Sequence, residues 1–312
     1  MSFAVTTAFV QQYSTMTELL LQQKMSRLRG AVSTQGFKGK AASVVEQFGI
    51  TSAQRNAGRN SDTPIMNTPQ DKRWAYPQDY DWGDLTDDQD KLRMLIDPTS
   101  QYAQAGAAAL GRAMDDEIIA GVLGSNNTGE NGSSATGVLS AYNSGSQVVA
   151  ATVGASGNTG LNVAKLRAAK KILLKSEVDF ESEEIFCAIS AQQNDNLYNE
   201  LQVINSDYSE GKPLIDGKVI RKFMGFNFIH SERIPGATNY ADLAAGVTGY
   251  TLDTIWLVPF WVKSGVTLGM WNDIETKIDK RADKRFATQI YVKGTFGSTR
   301  TQEKLTGIIT CY

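Results

Sequence analysis

The hydrophobic pattern changes period several times along the chain, and each change predicts a different kind of element. Over "MSFAVTTAFVQQYSTMTELLLQQKMSRLRG", Phe9, Tyr13, Met16 and Leu20 recur at helical spacing, and Leu21, Met25 and Leu28 widen the apolar side. Positions three and four apart share a helix face, so an amphipathic helix is expected, broken by Gly30, Gly36 and Gly39. It either packs on its own domain or acts as an arm seated on a neighbouring subunit. Ala107, Leu110, Met114, Ile118 and Val122 form a second stripe and predict a helix over 99–123. Thr99 or Ser100 would cap it, Gly124 would stop it, and Arg112, Asp115 and Asp116 would face away from the stripe. A third helix is predicted over 161–177, "LNVAKLRAAKKILLKSE", capped by Asn158 or Thr159. Leu166, Ala169 and Leu173 line one side of it, and lysines with Arg167 line the other.

Elsewhere the period falls to two or the run is apolar throughout. "EIFCAI" and "DTIWLVPFWV" are short apolar runs of the kind that form strands buried on both faces. A helix opening near Ser190 follows the first of them. Ile274, Thr276 and Ile278 alternate with charged residues, as do Phe286, Thr288, Ile290 and Val292 with Ala287, Gln289, Tyr291 and Lys293. Residues 124–160 hold eight glycines around "GVLSAY" and "SQVVAATV", which predicts hairpins and turns. Residues 50–97 are polar, contain three prolines and show no helical stripe. Trp74, Tyr76, Tyr80 and Trp82 nevertheless argue for an ordered, projecting loop whose aromatics bury themselves, often in a partner. The sum is an α+β protein with one long excursion.

Composition narrows the function more than the fold. The 312 residues carry 31 Lys and Arg against 33 Asp and Glu, a net charge of −2, so no overall basic excess marks a nucleic-acid reader. Two distant cysteines, Cys187 and Cys311, form neither a disulfide framework nor a zinc site, and reduced folding in a cytoplasm is expected. The N-terminus lacks the charged start and apolar core of a signal peptide. No apolar run reaches the ~20 residues that span a bilayer.

Candidate chemistry is sparse. His230 is the sole histidine, and it continues the face of Phe226 and Phe228 in "FNFIHS", where a packing role is expected over catalysis. Metal motifs, phosphate-binding glycine loops and dinucleotide fingerprints are absent. The acidic run from Asp79 places Gly83 and Asp90 at the wrong positions or with the wrong side chain for a calcium loop. Neither catalytic residues, cofactor nor metal is expected.

The stretches "AQAGAAALGRAMDDEIIAGVLG", "EEIFCAISAQQNDNLYNE", "DGKVIRKFMGFNFIHSERIP" and "DKRADKRFATQIYVKGTFGSTRTQEKLTGIIT", in this order, resemble the major capsid proteins of tailed bacteriophages, the Hong Kong 97-type fold family. The first is similar to the family's spine helix, and the second to its strand followed by a helix opening on serine. The third matches its glycine-phenylalanine segment at Gly217, Gly225, Phe226, Ser231 and Pro235. The fourth looks like its closing strands. The resemblance covers residues 100–310, with the preceding half supporting it by architecture.

It implies an arm at 1–48, an extended hairpin loop at 49–97, a peripheral domain with the spine helix at 98–184 and an axial domain at 185–270. Return strands at 271–304 and a final strand at 305–312 complete the chain. It further implies self-assembly into hexamers and pentamers of an icosahedral head around double-stranded DNA. A separate scaffolding protein, a portal and a decoration protein are the other expected partners, without a membrane. The protein would be made in the bacterial cytoplasm and end in the virion. Phe9, Tyr13, Lys72, Arg73, Trp74, Tyr80, Asp81, Trp82 and Asp84 are the expected inter-subunit contacts, as mixed charge and aromatic anchors. An encapsulin-like compartment shell, a phage tail or decoration protein, and an enzyme with a carboxylate-only site are the alternatives.

Overall fold

A computed structural model describes residues 22–55, 58, 65–87, 99–132, 134–136, 147–154, 157–204, 220–236 and 255–312. Phe9, Tyr13 and the predicted helical stripe up to Leu21 lie outside these residues, as does "GVLSAY", apart from their neighbours. The strands in chain order are β1 (Ser33–Gly36), β2 (Ala42–Phe48), β3 (Gln70–Ala75), β4 (Gln78–Thr86), β5 (Asn126–Thr128), β6 (Ser134–Thr136) and β7 (Val148–Val149). They continue as β8 (Ile185–Ile189), β9 (Lys222–Phe223), β10 (Phe226–His230), β11 (Trp256–Val262), β12 (Val266–Arg281), β13 (Ala287–Arg300) and β14 (Thr306–Cys311). The helices are α1 (Thr99–Leu123), α2 (Val163–Lys175), α3 (Ala191–Tyr198) and the single turn α4 (Leu201–Ile204). The strands form three sheets, ordered β1-β12-β13-β4, β7-β14-β11-β8-β10-β9 and β2-β3-β5-β6.

The chain divides into two compact units. One gathers Tyr80–Arg112 and Ile274–Gly294 with the described residues up to Met25; the other holds Ser26–Asp79, Ala113–Asp273 and Thr295–Tyr312.

The larger unit is built around the six-stranded sheet. β11 lies inside it, antiparallel to both β14 and β8, and from Leu257 to Val262 every residue is buried, as its uninterrupted apolar run predicts. β8 and β10 run parallel, Phe226 opposite Ile185 and His230 opposite Ile189. The hairpin into β10 turns at Met224 and Gly225 with φ of 53° and 91°. Two successive positive φ values in a two-residue loop match the right-handed strand twist. α2 packs on β14 and β7 and buries Leu166, Ala169 and Leu173 as its stripe predicts. Phe226 and Phe260 meet edge to face at 6.1 Å within the same core.

Local signals mislead at several helix ends. Asn162, rather than Asn158 or Thr159, caps α2, its side chain accepting from the Lys165 N–H at 2.7 Å. Lys165 does not join the polar row: it is fully buried, and its Nζ donates to the Thr159 and Thr310 carbonyls at 2.5 and 2.9 Å. Thr99 is helical itself, so neither it nor Ser100 precedes the helix as a cap. Gly124 does follow α1, its N–H reaching the Ala120 carbonyl at 2.6 Å, where a Cβ would lie only 2.5 Å from that oxygen. The amphipathic stripe does not continue as a helix through 22–28; Met25 is exposed while Leu28 is buried.

In the smaller unit, Thr288, Ile290 and Val292 point inward with the predicted alternation. Phe286 does not belong to it. Arg285 and Phe286 take φ of 52° and 61° in the turn between β12 and β13, and Phe286 is 62% exposed. Residues 275–280 of β12 are exposed on both sides, so the alternation around Ile278 sorts no core from surface there.

A candidate assembly surface

β2 and β3 form an antiparallel hairpin whose register runs from Ala42 opposite Ala75 to Phe48 opposite Gln70, with a bulge between Ser43 and Val45. The Gly49 N–H to Pro69 carbonyl bond, at 2.7 Å, extends the pairing one step further. The segment expected as an extended loop therefore begins inside a β-ladder. Side-chain partners tie β3 to its own unit. Lys72 faces Glu46 across the strands at 3.0 Å. Arg73 is 5% exposed, and its Nη2 donates to Glu303 Oε2 at 2.7 Å. Trp74 Nε1 donates to the Gly129 carbonyl at 2.8 Å, and Tyr76 Oη to that of Gly132 at 3.2 Å. Asp71 Oδ1 accepts from the Gly129 N–H at 3.0 Å.

The expected contact residues thus fall in two places. Lys72, Arg73 and Trp74 belong to the hairpin stem of the larger unit. Tyr80, Asp81, Trp82 and Asp84 lie on β4 in the smaller unit, where Tyr80, Trp82 and Asp84 are half-buried and Asp81 is exposed. Trp82 packs so closely over Gly106 that a Cβ there would approach its Cε3 to 2.5 Å and Val292 Cγ2 to 2.7 Å. Asp84 Oδ1 accepts the Leu85 N–H at 2.8 Å. Arg73, Trp74 and Trp82 already spend polar atoms or ring faces on their own chain.

The apolar surface left over lies further out on the hairpin. Phe48 is 67% exposed, Ile50 90% and Ile65 95%, with Met66 partly exposed. Phe48 and Ile50 share one cleft, and neighbouring exposed apolar side chains mark an interaction surface more than scattered ones do. Beside them an open cleft of 420 Å³ is lined by Gln47, Phe48, Ile50, Pro69, Glu303 and Lys304 among others. The sequence signal for these residues was weak: single apolar positions in a polar stretch, without period.

His230 sits at the last register position of β10 and escapes the core. Its Nδ1 lies 2.9 Å from Arg27 Nη1 and its Nε2 2.8 Å from Glu232 Oε1. A guanidinium only donates, so Nδ1 accepts and Nε2–H is turned to the carboxylate. The expectation of a packing residue with its nitrogens satisfied holds for the nitrogens, which Arg27 and Glu232 take up, while the ring itself is only half-buried at the end of the Phe226 and Phe228 face. Glu232 Oε1 also accepts the Ala191 N–H at 2.7 Å, at the start of α3.

Other charged groups are structural too. Asp115, expected on the polar face of α1, is fully buried and accepts from Ser26 Oγ at 2.5 Å and from the Arg27 and Leu28 N–H groups at 3.1 Å each. Asp116 pairs with Arg233, and Arg112 with Gln22 and the Gln23 carbonyl at 2.9 and 3.1 Å. Arg300 is buried with Nη1 on the Val122 carbonyl at 2.5 Å, a cation placed at the C-terminal end of α1. Burial pushes the thiols of Cys187 and Cys311 upward, that of Cys311 to about 12, with Lys165 pulling it back slightly. Buried thiols raised in this way are held as thiols, not nucleophiles. Among the described residues no group of three or more His, Cys, Asp or Glu is placed to hold a metal ion, and no helix is long and apolar enough to cross a membrane.

The family model described as phage capsid protein matches residues 5–312. Among solved structures, the capsid of cyanophage P-SCSP1u superposes with a TM-score of 0.72 at 15% identity, covering 100% of this chain and 95% of that one. The capsid of cyanophage Pam1 gives 0.67 at 13%, covering 99% and 98%. The capsid of a native GTA particle gives 0.67 at 12%, covering 99% and 97%. At these identities the likeness concerns the fold. Comparison with curated proteins gives no match.

Proposed function

The chain belongs to the phage capsid protein family, and we propose that copies of it close into an icosahedral head through contacts made by the outer β2–β3 hairpin. It has the α+β Hong Kong 97-type capsid fold and is a structural major capsid protein of a phage head, a component of the virion. The observation that carries the hairpin assignment is the exposure of Phe48 at the end of β2 and of Ile50 just past it, both lining the open cleft, with Ile65 exposed in the stretch before β3. Burying them against a second copy removes this apolar area from water. Lys72 and Glu46 at the stem add the polar rim that such contacts use, and the exposed Asp81 and half-buried Tyr80 of β4 are proposed as contacts of the smaller unit in their own right.

Each copy meets several neighbours in a shell, so individually weak contacts suffice once many form together. Repeated heterologous contacts that close supply the hexamers and pentamers. The remaining parts of the reading are a separate scaffolding protein, a portal, a decoration protein, non-specifically held double-stranded DNA and synthesis in the bacterial cytoplasm. The arm with Phe9 and Tyr13 is proposed as a second contact on the strength of its sequence pattern. The test is negative-stain electron microscopy of the chain expressed with and without its neighbouring genes. Closed shells or capsomer-built tubes are expected; a homogeneous small oligomer under every condition would overturn the reading.

A further inference from the structure

The helix α2 carries five basic residues and no acidic one. Lys165 is turned into the core, where the Thr159 and Thr310 carbonyls receive it. The other four, Arg167, Lys170, Lys171 and Lys175, stand on the opposite face; Lys170 is half-buried and the rest are exposed. With Leu174 and Met224 they line an open depression of 510 Å³. Lys171 and Lys175 also border a neighbouring hollow of 520 Å³ that Lys304 reaches from the far side.

These cations have no carboxylate partner among the described residues. Of the five acidic residues that follow in sequence, Asp179 is engaged with Ser182 at 2.7 Å, Glu183 with Ser264 at 3.1 Å and Glu184 with Lys263 at 3.0 Å, while Glu177 and Glu181 are exposed and form no ion pair with the α2 cations among the described residues. Lys170 Nζ itself lies over the Phe180 ring at 5.0 Å, a cation–π contact that holds its ammonium at the edge of the depression. The helix itself is held rigidly, because Leu166, Ala169 and Leu173 are wholly buried on the sheet. A chain whose net charge is −2 has therefore concentrated unpaired positive charge on one fixed face.

We infer that this face of α2 binds the phosphate backbone of nucleic acid without regard to sequence and is the surface turned to the packaged genome. The inference rests on the reading of the chain as a DNA-enclosing capsid subunit and adds the site of contact. Arg167, Lys171 and Lys175 recur every four residues, a rise of about 6 Å. Phosphates of one strand recur every ~3.4 Å along a duplex, so a rigid row of cations finds phosphates in any register. Arg167 is the one bidentate donor in the row, and no Asn, Gln or carboxylate stands beside it on α2, so no run of base edges is read and sequence preference is lacking. Four cations are too few to hold DNA tightly at cellular salt, which suits a genome that must leave.

The experiment measures binding of a labelled random-sequence duplex of about 20 base pairs to the full-length protein kept unassembled, before part of each preparation is taken on to assembly, by fluorescence anisotropy as salt is raised from about 50 to 200 mM. Neutralising four phosphates predicts a log–log slope near −3.6, about a 150-fold loss over that range. The double variant Lys171→Ala, Lys175→Ala should halve the slope, leaving about a 12-fold loss. Arg167→Ala should lower it by about 0.9. An unchanged slope in these variants overturns the inference, as does tighter binding of a polyglutamate peptide than of the duplex, which would point to an acidic protein partner. The same preparations are viewed by electron microscopy. Shells that form normally while the slope stays fixed sink only this inference, whereas wild-type protein that forms no shells strikes the reading beneath it.

Discussion

Asp115, buried in the middle of α1, accepts the backbone N–H of Leu28 at 3.1 Å. The same carboxylate takes Ser26 Oγ and the Arg27 N–H, so one side chain satisfies the root of the N-terminal segment. Replacing it by alanine strands two backbone donors and should cost about 3 kcal/mol locally. Asp115→Asn keeps one acceptor but turns an amide N–H toward a donor, and should cost about half as much. Hydrogen exchange at Arg27 and Leu28 checks this: Asp115→Ala should accelerate both, and unchanged protection would refute the assignment.

Arg73 and Glu303 form a nearly buried pair at 2.7 Å, yet Arg73 Nε and Nη1 and Glu303 Oε1 make no further hydrogen bond among the described residues. Such a pair contributes little net stability but is costly to break from one side. Arg73→Ala should lose about 3–5 kcal/mol, and Arg73→Met with Glu303→Leu markedly less. Urea melts of the two variants decide the matter; equal losses would contradict it.

Gly106 gives Trp82 its place. An added Cβ would press on both Trp82 and Val292, so Gly106→Ala should destabilise the smaller unit by about 1–3 kcal/mol. Trp82 must shift to admit it, so a changed tryptophan emission at low denaturant is expected. Wild-type emission and stability would mean that the contact is looser than described.

The thiols of Cys187 and Cys311 are raised in the fold by burial, above all, and by each other for Cys187. A raised folded pKa means that the unfolded chain releases its protons first, so stability is intact below the ordinary thiol range and falls as pH rises beyond it. Each thiol contributes up to about 1.4 kcal/mol of loss per pH unit there. Lys165, lowered chiefly by desolvation and raised slightly by Cys311, acts with the opposite sign. Its folded state sheds a proton before the unfolded one, so stability rises between its lowered pKa and the ordinary lysine range. Urea midpoints between pH 8 and 10 should therefore fall in the wild type, fall less in Cys311→Ala, and flatten or rise in the double cysteine variant. Identical slopes in all three would refute the account.

Assembly should depend on residues that stability does not use. Phe48→Ser, Ile50→Ser and Ile65→Ser should each change subunit stability by less than about 0.5 kcal/mol, as exposed positions do. Shell yield, read by sedimentation, should drop several-fold for single variants and further for the triple one. Full yield from the triple variant would remove the hairpin from the interface.

By itself, the sequence determined the fold class, the long helix, the buried strands β8 and β11 and the alternation of β13, because periods of 3.6 and 2 follow from local backbone geometry. It also carried the family resemblance in its segment order. Tertiary structure decided which charges go inside. Lys165 shares a stripe with Leu161, Ala169 and Leu173, and Arg300 has the parity of Ile290, Val292 and Phe296, so their burial left a trace in the pattern. What the pattern could not carry was the partner that makes burial tolerable. The Thr310 carbonyl for Lys165, Val122 for Arg300 and Ser26 to Leu28 for Asp115 all lie 87 or more residues away. Trp74 and Trp82 were legible as aromatics in need of cover, but the backbone at Gly129 and the space at Gly106 that provide it arrive only when distant segments meet. Desolvation is settled by such neighbours, and neighbours are set by the folded chain.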